Sequence, residues 1–378
     1  MRAPLPTKSH DVAVVGGGIV GLACAWHAAR RGMSVVVLER DRLGAGASDV
    51  AAGMLAPVTE ADFGEDELLE LNLAAARRWP AFATELAAAS GLSTGFRETG
   101  ALVVAADRDD AEELHRLADL HAALGLPSRW LGPRECRTLE PGLSPRVRGA
   151  IHAPRDHQAD PVATVLALTA ACRRAGVELR EHVEVAELVR SGASVTGVGT
   201  ATAEIPARTV VVAAGAWSAA LAHDAPPIRP VKGQIATLRA PDPGLAPTHV
   251  VRTPRCYMLA RDDGRVVLGA TVEERGFDAS TTADGVFQLL DAAREVLPDV
   301  GELEWIGVRA GLRPGTPDNL PVVGRGAVDG LVWATGHYRN GVLLAPLTGE
   351  AVAELLDSGA EPPSALAPER FTAARVTR

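Results

Sequence analysis

Apolar residues near the start of the chain follow a pattern typical of a strand, a turn and a helix. Residues 12–15 (VAVV) are mostly β-branched, as in a parallel strand buried on both faces. Glycines follow, residues 19–31 are predicted to form a helix that ends at Gly32, and residues 34–38 form a second apolar strand. The hydrophobic pattern therefore predicts a βαβ unit over residues 11–39.

Gly16, Gly18 and Gly21 match the Gly-x-Gly-x-x-Gly spacing of a dinucleotide-binding turn. The first glycine permits the tight turn, the second lets the backbone approach a pyrophosphate, and the third lets the helix pack on the strand. The start of the helix favours an anionic group. Glu39 ends the second strand, where a carboxylate accepts hydrogen bonds from ribose hydroxyls. These residues predict a dinucleotide with a free 2′-hydroxyl, and by themselves they leave both FAD and NAD open.

Small-residue turns alternate with strands and helices along the rest of the chain. Residues 40–57 form a small-residue loop, which either lies flat against a planar ligand or serves as a linker. A helix over residues 65–90 is predicted to be interrupted near Pro80, and Pro161 opens another helix over residues 162–175. Residues 209–218 and 332–336 repeat the opening design of a buried strand that runs into a small-residue turn. We therefore expect these junctions to lie at one ligand-binding edge.

Residues 226–310 are rich in strands, with one helix near residues 285–297. A hairpin over residues 257–271 turns at Asp262-Asp263-Gly264, so an antiparallel sheet is expected. The fold is predicted to be α/β. Its nucleotide-binding domain is discontinuous and comprises residues 1–80, 150–222 and 318–378. The substrate-binding domain comprises residues 81–149 and 223–317.

Charge and cysteine spacing exclude several classes of function. A net charge of −9 and a pI near 5.6 argue against nucleic acid or an anionic membrane as the main partner. The four cysteines are scattered without a C-x-x-C pair, so neither a metal site nor a disulfide framework is expected. The polar N-terminal segment, residues 1–10, has no apolar core of a secretory signal, and no transmembrane span is evident. We therefore expect a cytoplasmic protein.

Nine segments spread over nearly the full length carry a family resemblance: VVGGGIVGLACAWHAARRG with Glu39, GASDVAAGMLAP, RETGAL, ECRTLEPGLSP, VVVAAGAWS, PVKGQ, YMLARDDGRVVLGAT, AGLRPGTPDNLPVVG and ATGHYRNGVLLAP. With these segments in order, the chain resembles the FAD-dependent D-amino acid oxidase superfamily, and within it the glycine oxidase branch linked to thiamine biosynthesis. The resemblance implies a Rossmann-like FAD-binding domain of the glutathione-reductase type. It also implies an inserted α+β substrate domain built on an antiparallel sheet.

The resemblance implies FAD, held without a covalent bond, because no cysteine lies in the C-terminal region where the sarcosine oxidase relatives attach their flavin. It places Glu39 and Arg40 at the adenosine, the Val185 backbone near the adenine, and Ser48 with residues 52–55 along the isoalloxazine. The implied FAD-binding residues are Gly16, Gly18, Ile19, Val20, Gly21, Glu39, Arg40, Ser48, Ala52, Gly53, Met54, Leu55, Val185, Ala214, Gly215, Trp217, His337, Arg339, Asn340, Gly341, Val342 and Leu343.

Three residues are candidates for the substrate site. A planar guanidinium at Arg313 matches an amino acid carboxylate, although a surface arginine beside a turn is the alternative. Tyr257 supplies a hydroxyl to the same carboxylate or is a buried structural phenol. Arg339 orients substrate or flavin, or else serves in packing or a salt bridge. His337 is not required as a base, because the resemblance implies that the α-hydrogen leaves as hydride to flavin N5, and the helix beginning near Gly341 stabilises the charge of the reduced flavin.

The resemblance implies an oxidase that deaminates glycine or another small amino acid with oxygen. The expected products are an imine or 2-oxo acid, ammonia and hydrogen peroxide, and a functional coupling to a thiazole synthase follows from the thiamine branch. Three alternatives stay open: a D-amino acid or sarcosine/N-methyl amino acid oxidase, a dehydrogenase that uses another electron acceptor, and a flavin-binding module of a larger complex. Homo-oligomer formation is also open.

Overall fold

The computed structural model describes residues 9–371, so most of the predicted polar N-terminal segment, residues 1–8, lies outside the described part. The strands in chain order are β1 (His10–Val15), β2 (Val35–Leu38), β3 (Met54–Leu55), β4 (Ala101–Ala105), β5 (Arg129–Leu131), β6 (Gly149–Ala153), β7 (His157–Gln158), β8 (Glu178–Arg180), β9 (Val185–Ser191), β10 (Ser194–Thr200), β11 (Glu204–Val212), β12 (Arg229–Arg239), β13 (Val250–Arg252), β14 (Tyr257–Ala260), β15 (Arg265–Gly269), β16 (Glu304–Gly315), β17 (Val322–Arg325) and β18 (Leu331–Thr335).

Helices lie between these strands. The α-helices are α1 (Ile19–Arg30), α2 (Ala47–Val50), α3 (Asp66–Ser90), α4 (Arg108–Ala123), α5 (Pro133–Leu139), α6 (Pro161–Arg174), α7 (Ala283–Val296) and α8 (Gly341–Ser358). Short 3-10 helices cover Gly215–Ala220, Pro243–Leu245, Pro298–Glu302, Ser364–Leu366 and Pro368–Phe371. Across the described residues, no helix is long and apolar enough to cross a membrane.

The first sheet confirms the predicted nucleotide-binding fold. Its strand order is β17-β18-β11-β1-β2-β8, and every pair except β17-β18 is parallel. Helices α1, α3, α6 and α8 pack together on one face through a buried apolar cluster. The antiparallel strands β9 and β10, continuous with β11, cover the other face. Helices, parallel sheet and antiparallel ribbon therefore form three layers, and the carboxyl ends of β1, β11 and β18 share one edge.

A second sheet has the strand order β16-β12-β15-β14-β13-β4-β6-β5. The predicted antiparallel pairing is confirmed for the strands between residues 229 and 315, while β13 and β4 pair in parallel. Side chains alternate between its two faces. Met258 and Leu268 pack on α7, whereas Tyr257 and Leu259 face the residues around β3. The second face of this sheet therefore looks towards the nucleotide-binding layers.

Two local predictions are wrong. Helix α3 runs without interruption through Pro80, because the flanking Trp79 and Phe82 are fully buried in the helical layer and this packing outweighs the hydrogen bond that proline removes. The small-residue loop over residues 40–57 contains the short helix α2 and the strand β3, which pairs with β7. Such short elements depend on partners distant in sequence.

The proposed domain division stays a prediction, but two elements refine its boundaries. Strand β6, which a boundary at residue 150 would split, pairs with β4 and β5 in the second sheet. Helix α3, which a boundary at residue 80 would split, packs against α6 and α8 in the helical layer. We therefore place the boundaries after Ser90 and after Ala153, where no regular element is cut.

Candidate active site

The glycine turn is formed by contacts that only glycine permits. A Cβ on Gly16, which has a φ of +108°, would lie 2.4 Å from the Ala213 carbonyl oxygen. A Cβ on Gly21 would lie 2.0 Å from the carbonyl oxygen of Gly16. Helix α1 begins immediately after Gly18, which has no side chain to cap the first turn. Apart from Ile19 N–H, which donates to the Ser48 hydroxyl, the first turn therefore has backbone N–H groups that suit an anionic group such as a pyrophosphate.

Glu39 lies beside this turn at the end of β2. Its carboxylate accepts hydrogen bonds from the backbone N–H of Gly17 at 2.7 Å and of Asp41 at 3.0 Å. The Glu39 backbone carbonyl accepts a hydrogen bond from Val183 N–H at 2.8 Å. This bond brings the start of β9, with Val185, next to Glu39. The residues predicted for the adenosine end therefore lie close together.

The three small-residue junctions meet at one edge of the first sheet, as the sequence predicts. Ala213 N–H donates to the Val15 carbonyl at 2.8 Å, which joins the end of β11 to the end of β1. The Thr335 hydroxyl lies 2.8 Å from the Ser218 hydroxyl and donates to the Gly215 carbonyl at 3.2 Å. The segment containing Ala214 and Gly215 thus lies between the glycine turn and the end of β18. A long ligand that crosses this edge would meet all three junctions.

Arg40 and Trp217, both predicted to contact the cofactor, contact each other. The Arg40 guanidinium lies 3.8 Å from the centroid of the Trp217 ring, a cation–π geometry. Trp217 also contacts Phe277, at 5.7 Å between ring centroids. Phe277 belongs to the loop between β15 and α7, so this stack connects the nucleotide-binding layers to the second sheet.

The predicted isoalloxazine-lining residues lie in two places. The Ser48 hydroxyl accepts a hydrogen bond from Ile19 N–H at 3.0 Å, so it lies at the start of α1. Ala52 and Met54 pack with Tyr257 on the second sheet. Ser48 is therefore at the glycine turn, whereas residues 52–55 lie between the two sheets.

Arg261 is a buried arginine that the sequence prediction missed. Its guanidinium donates to the carbonyl oxygens of Ala52 and of Ala159, the latter at 3.0 Å, and to Gln158 Oε1 at 2.9 Å. Burial lowers its pKa to about 10, partly offset by Asp160. The segment that carries Met54 is therefore fixed by charge-assisted hydrogen bonds. The signal was an arginine directly after the apolar strand of the YMLARDDGR segment.

The second sheet brings Arg313 and Tyr257 together across strands that carry glycines. A Cβ on Gly269 would lie 2.4 Å from the Tyr257 hydroxyl, and a Cβ on Gly233 would lie 2.3 Å from Nη1 of Arg313. The guanidinium also donates to the carbonyl oxygens of Thr271 at 3.1 Å and of Lys232 at 3.3 Å. The two glycines, which were not among the predicted site residues, leave room for these side chains to lie flat on the sheet.

Charged neighbours act on the Tyr257 hydroxyl. Burial raises the pKa of this hydroxyl, and the negative charge of Glu60 raises it as well. The positive charges of Arg313 and Arg252 lower it, as does a hydrogen bond from Arg313. Arg252 is directly opposite Tyr257 in the register of β13 and β14. Its guanidinium lies 3.6 Å from the Glu60 carboxylate. Glu60 and Arg252 were also missed, because nothing local in the sequence pairs two residues so far apart.

The turn before α8 places Arg339 beside Glu65 and Tyr338. The Arg339 guanidinium lies 4.0 Å from the Glu65 carboxylate and 5.3 Å from the Tyr338 ring centroid. Its described contacts do not include Arg313 or Tyr257, so they match the salt-bridge alternative. A catalytic role for Arg339 stays a prediction.

His337 is buried beneath the same turn. Its Nε2 lies 2.8 Å from the Thr348 hydroxyl, and burial lowers the pKa of the imidazole to about 3. Asn340 N–H donates to the His337 carbonyl, and the Asn340 carbonyl accepts from Leu344 N–H, which starts α8. The Trp79 indole N–H donates to the Leu343 carbonyl at 2.9 Å. His337 is therefore buried and hydrogen-bonded at the start of α8, and its role in FAD binding stays a prediction. The buried Val342 belongs to the same apolar layer.

These positions fit a long anionic cofactor with a planar reactive end. The glycine turn and helix start suit the anionic middle, Glu39 suits a ribose, and the apolar cluster of Ala52, Met54 and Tyr257 suits the edge of a ring. In the part of the chain covering residues 9–371, no group of three or more His, Cys, Asp or Glu side chains is arranged to hold a metal ion.

Known proteins match nearly the whole chain. The family model described as FAD dependent oxidoreductase (DAO) matches residues 11–355. The chain is 36% identical to the glycine oxidase of Geobacillus kaustophilus over 93% of this chain and 94% of that protein. It is 35% identical to the bifunctional protein ThiO/ThiG of Synechocystis over 96% of this chain and 54% of that longer protein. A crystal structure of glycine oxidase from Geobacillus kaustophilus gives a TM-score of 0.90 at 35% identity and covers 96% of this chain and 99% of that chain.

Proposed function

The chain belongs to the DAO family of FAD-dependent oxidoreductases, and within that family we propose that it oxidises glycine or another small amino acid with oxygen. It is an FAD-dependent amino acid oxidoreductase. The names of the glycine oxidase and ThiO/ThiG relatives support glycine as the substrate and support a place in thiamine biosynthesis. The products are an imine, which water hydrolyses to a 2-oxo acid and ammonia, and hydrogen peroxide.

The observation that carries this proposal is the pairing of Arg313 with Tyr257 on the sheet face that packs against Met54. A guanidinium presents two parallel N–H donors that match the two oxygens of a carboxylate. The Tyr257 hydroxyl adds a third donor on the same face. A substrate carboxylate held there fixes the position of its Cα, and this orientation is the main contribution that the protein makes to such a reaction.

FAD supplies the two-electron acceptor for the substrate Cα–H bond when it is bound. The glycine turn and the start of α1 would hold its anionic middle, and the positive end of the α8 dipole would face the same edge. Arg261 holds the Ala52–Leu55 segment in place. His337 stays neutral because burial lowers its pKa to about 3, and its Nε2 is engaged by Thr348, so it takes no proton from the substrate.

Coupling to a thiazole synthase and a cytoplasmic location are further parts of the proposal. The name of the ThiO/ThiG relative, which is longer than this chain, supports the coupling. Homo-oligomer formation stays a prediction from the sequence.

A peroxide assay over glycine, sarcosine, D-alanine and D-proline tests the proposed function. Glycine should give the highest kcat/KM. Preference for D-alanine or D-proline would indicate a D-amino acid oxidase, and preference for sarcosine an N-methyl amino acid oxidase. Flavin reduction without peroxide would indicate a dehydrogenase. Absence of both peroxide and flavin reduction with all four compounds would reject the proposal.

A further inference from the structure

A second guanidinium flanks Tyr257 on the side away from Arg313. Arg252 is the cross-strand partner of Tyr257 in the register of β13 and β14. Side chains of directly opposed residues lie on the same face of a sheet. Tyr257 therefore stands between two arginines, and only Arg313 has its guanidinium free of a carboxylate partner in the described structure.

The turn that follows β3 provides the partners of the Arg252 guanidinium. Its Nη1 donates to the Thr59 carbonyl and lies 3.6 Å from Oε1 of Glu60. Little of either side chain is exposed, 23% for Arg252 and 11% for Glu60. The ion pair is therefore largely desolvated, which makes its charges act strongly on nearby groups.

The turn that carries Glu60 is itself held in place. The buried carboxylate of Asp156 accepts hydrogen bonds from the backbone N–H groups of Val58 at 3.1 Å and of Thr59 at 2.7 Å. Glu60 N–H donates to the Ala56 carbonyl at 3.1 Å. Glu60 is thus kept at Arg252 by backbone contacts, and the ion pair is a fixed part of the site.

The two arginines differ in whether their guanidinium already pairs with a carboxylate. A single carboxylate binds at Arg313. A second carboxylate on the substrate would seek Arg252, but Glu60 already holds that guanidinium and repels a further anion. We propose that Glu60, through its ion pair with Arg252, is a specificity-determining residue that restricts the enzyme to amino acids with one carboxylate and excludes imino and amino dicarboxylates.

This inference rests on the proposed function, since it assigns the first carboxylate to Arg313. Two ligands that cannot be oxidised separate the two claims: methoxyacetate has one carboxylate, and diglycolate has the same ether backbone with two. Their dissociation constants are measured on the FAD-loaded protein from the change in the flavin absorption spectrum. This readout needs no turnover, so it does not depend on which amino acid is oxidised.

Diglycolate should bind the wild-type protein at least tenfold more weakly than methoxyacetate. Glu60→Gln removes the negative charge at almost unchanged shape, and it should lower the ratio of the two dissociation constants at least tenfold. Arg252→Met leaves Glu60 unpaired and should raise that ratio. Iminodiacetate and glycine should follow the same order in kcat/KM.

Asp262→Asn is the matched control. Asp262 lies in the turn between β14 and β15 and pairs with Arg97 at 3.1 Å, but its side chain is 76% exposed, so solvent screens the charge. This variant should keep the wild-type ratio. If Glu60→Gln is purified without FAD, Glu60→Ala replaces it. A ratio that changes less than tenfold in the folded Glu60 variant overturns the inference, whereas a wild-type protein that oxidises no amino acid overturns the proposed function.

Discussion

The Nη1 atom of Arg313 occupies the space in which a side chain of Gly233 would stand, because a Cβ there would lie 2.3 Å from it. Gly233→Ala should therefore push the guanidinium off the carbonyl oxygens of Lys232 and Thr271. We expect KM for glycine to rise at least tenfold, about 1.4 kcal/mol, with a smaller change in kcat. Arg313→Leu, which removes the charge altogether, should raise KM further, in line with about 2–5 kcal/mol for a truncated charge pair.

Gly307 provides the control for this prediction. It lies on β16, opposite Thr237 of β12, and a Cβ added to it would meet nothing within 4 Å. Gly307→Ala should therefore keep the wild-type KM. Equal KM values for Gly233→Ala, Gly307→Ala and the wild type would show that the position of Arg313 does not govern substrate binding.

Arg261 should govern how tightly FAD binds. Arg261→Met removes the donors to the Ala52 and Ala159 carbonyls and frees the segment that contains Met54. The dissociation constant of FAD, measured by fluorescence titration of the apoprotein, should rise at least tenfold. Arg265→Met is the comparison, because the Arg265 side chain pairs with Asp160 and Asp263 and not with those carbonyls. Equal FAD affinities in the two variants would count against the role of Arg261.

The buried His337 should make the protein less stable in mild acid. Its pKa is about 3 in the folded state against an ordinary value of 6.5, so the unfolded chain binds the extra proton between these pH values. The free energy of unfolding should therefore fall as the pH drops from 6.5 towards 3, by about 1 kcal/mol per pH unit from this group.

His337→Gln isolates that contribution, because His27, whose pKa burial lowers to about 4, acts in the same direction in both proteins. Denaturant unfolding at pH 7 and pH 5 should show a smaller loss for the variant. The pH profile of kcat/KM should be the same in both. If kcat/KM of His337→Gln no longer falls on the acidic side of the profile, His337 would instead be a catalytic base.

The flavin should leave the protein on denaturation. All four cysteines are buried thiols, and burial raises the pKa of Cys256, the one adjacent to Tyr257, to about 11. Cys256 packs with the apolar cluster on the α7 face, away from Tyr257. Acid precipitation should give a yellow supernatant and a colourless pellet. A flavin-sized mass increase on the denatured chain would contradict non-covalent binding.

Local backbone requirements made part of the site predictable. Residues that are close in sequence determine the turn from Gly16 to Gly21 and the position of Glu39. The junction at Gly215 repeats the pattern of a buried strand that runs into a small-residue turn. The helical run through Pro80 could not be predicted, because it depends on packing of Trp79 and Phe82 against distant helices. Arg339 was assigned from its segment alone, yet its partner Glu65 lies far away in the chain.

The charge pairs of the substrate site depend on strand register. Arg252 meets Tyr257 only because β13 and β14 pair as they do, and Glu60 reaches Arg252 only through the turn after β3. Arg261 appears in the sequence as the end of a strand, and nothing local shows that it reaches Ala52. Such contacts become visible only when both sheets are in place.

Anaerobic addition of glycine to the purified yellow protein tests whether the protein oxidises an amino acid with its flavin. The oxidised flavin absorption should disappear with glycine. Readmission of oxygen should then restore it and release one equivalent of hydrogen peroxide. A flavin spectrum that stays oxidised with glycine, and equally with sarcosine, D-alanine and D-proline, would contradict an amino acid oxidase.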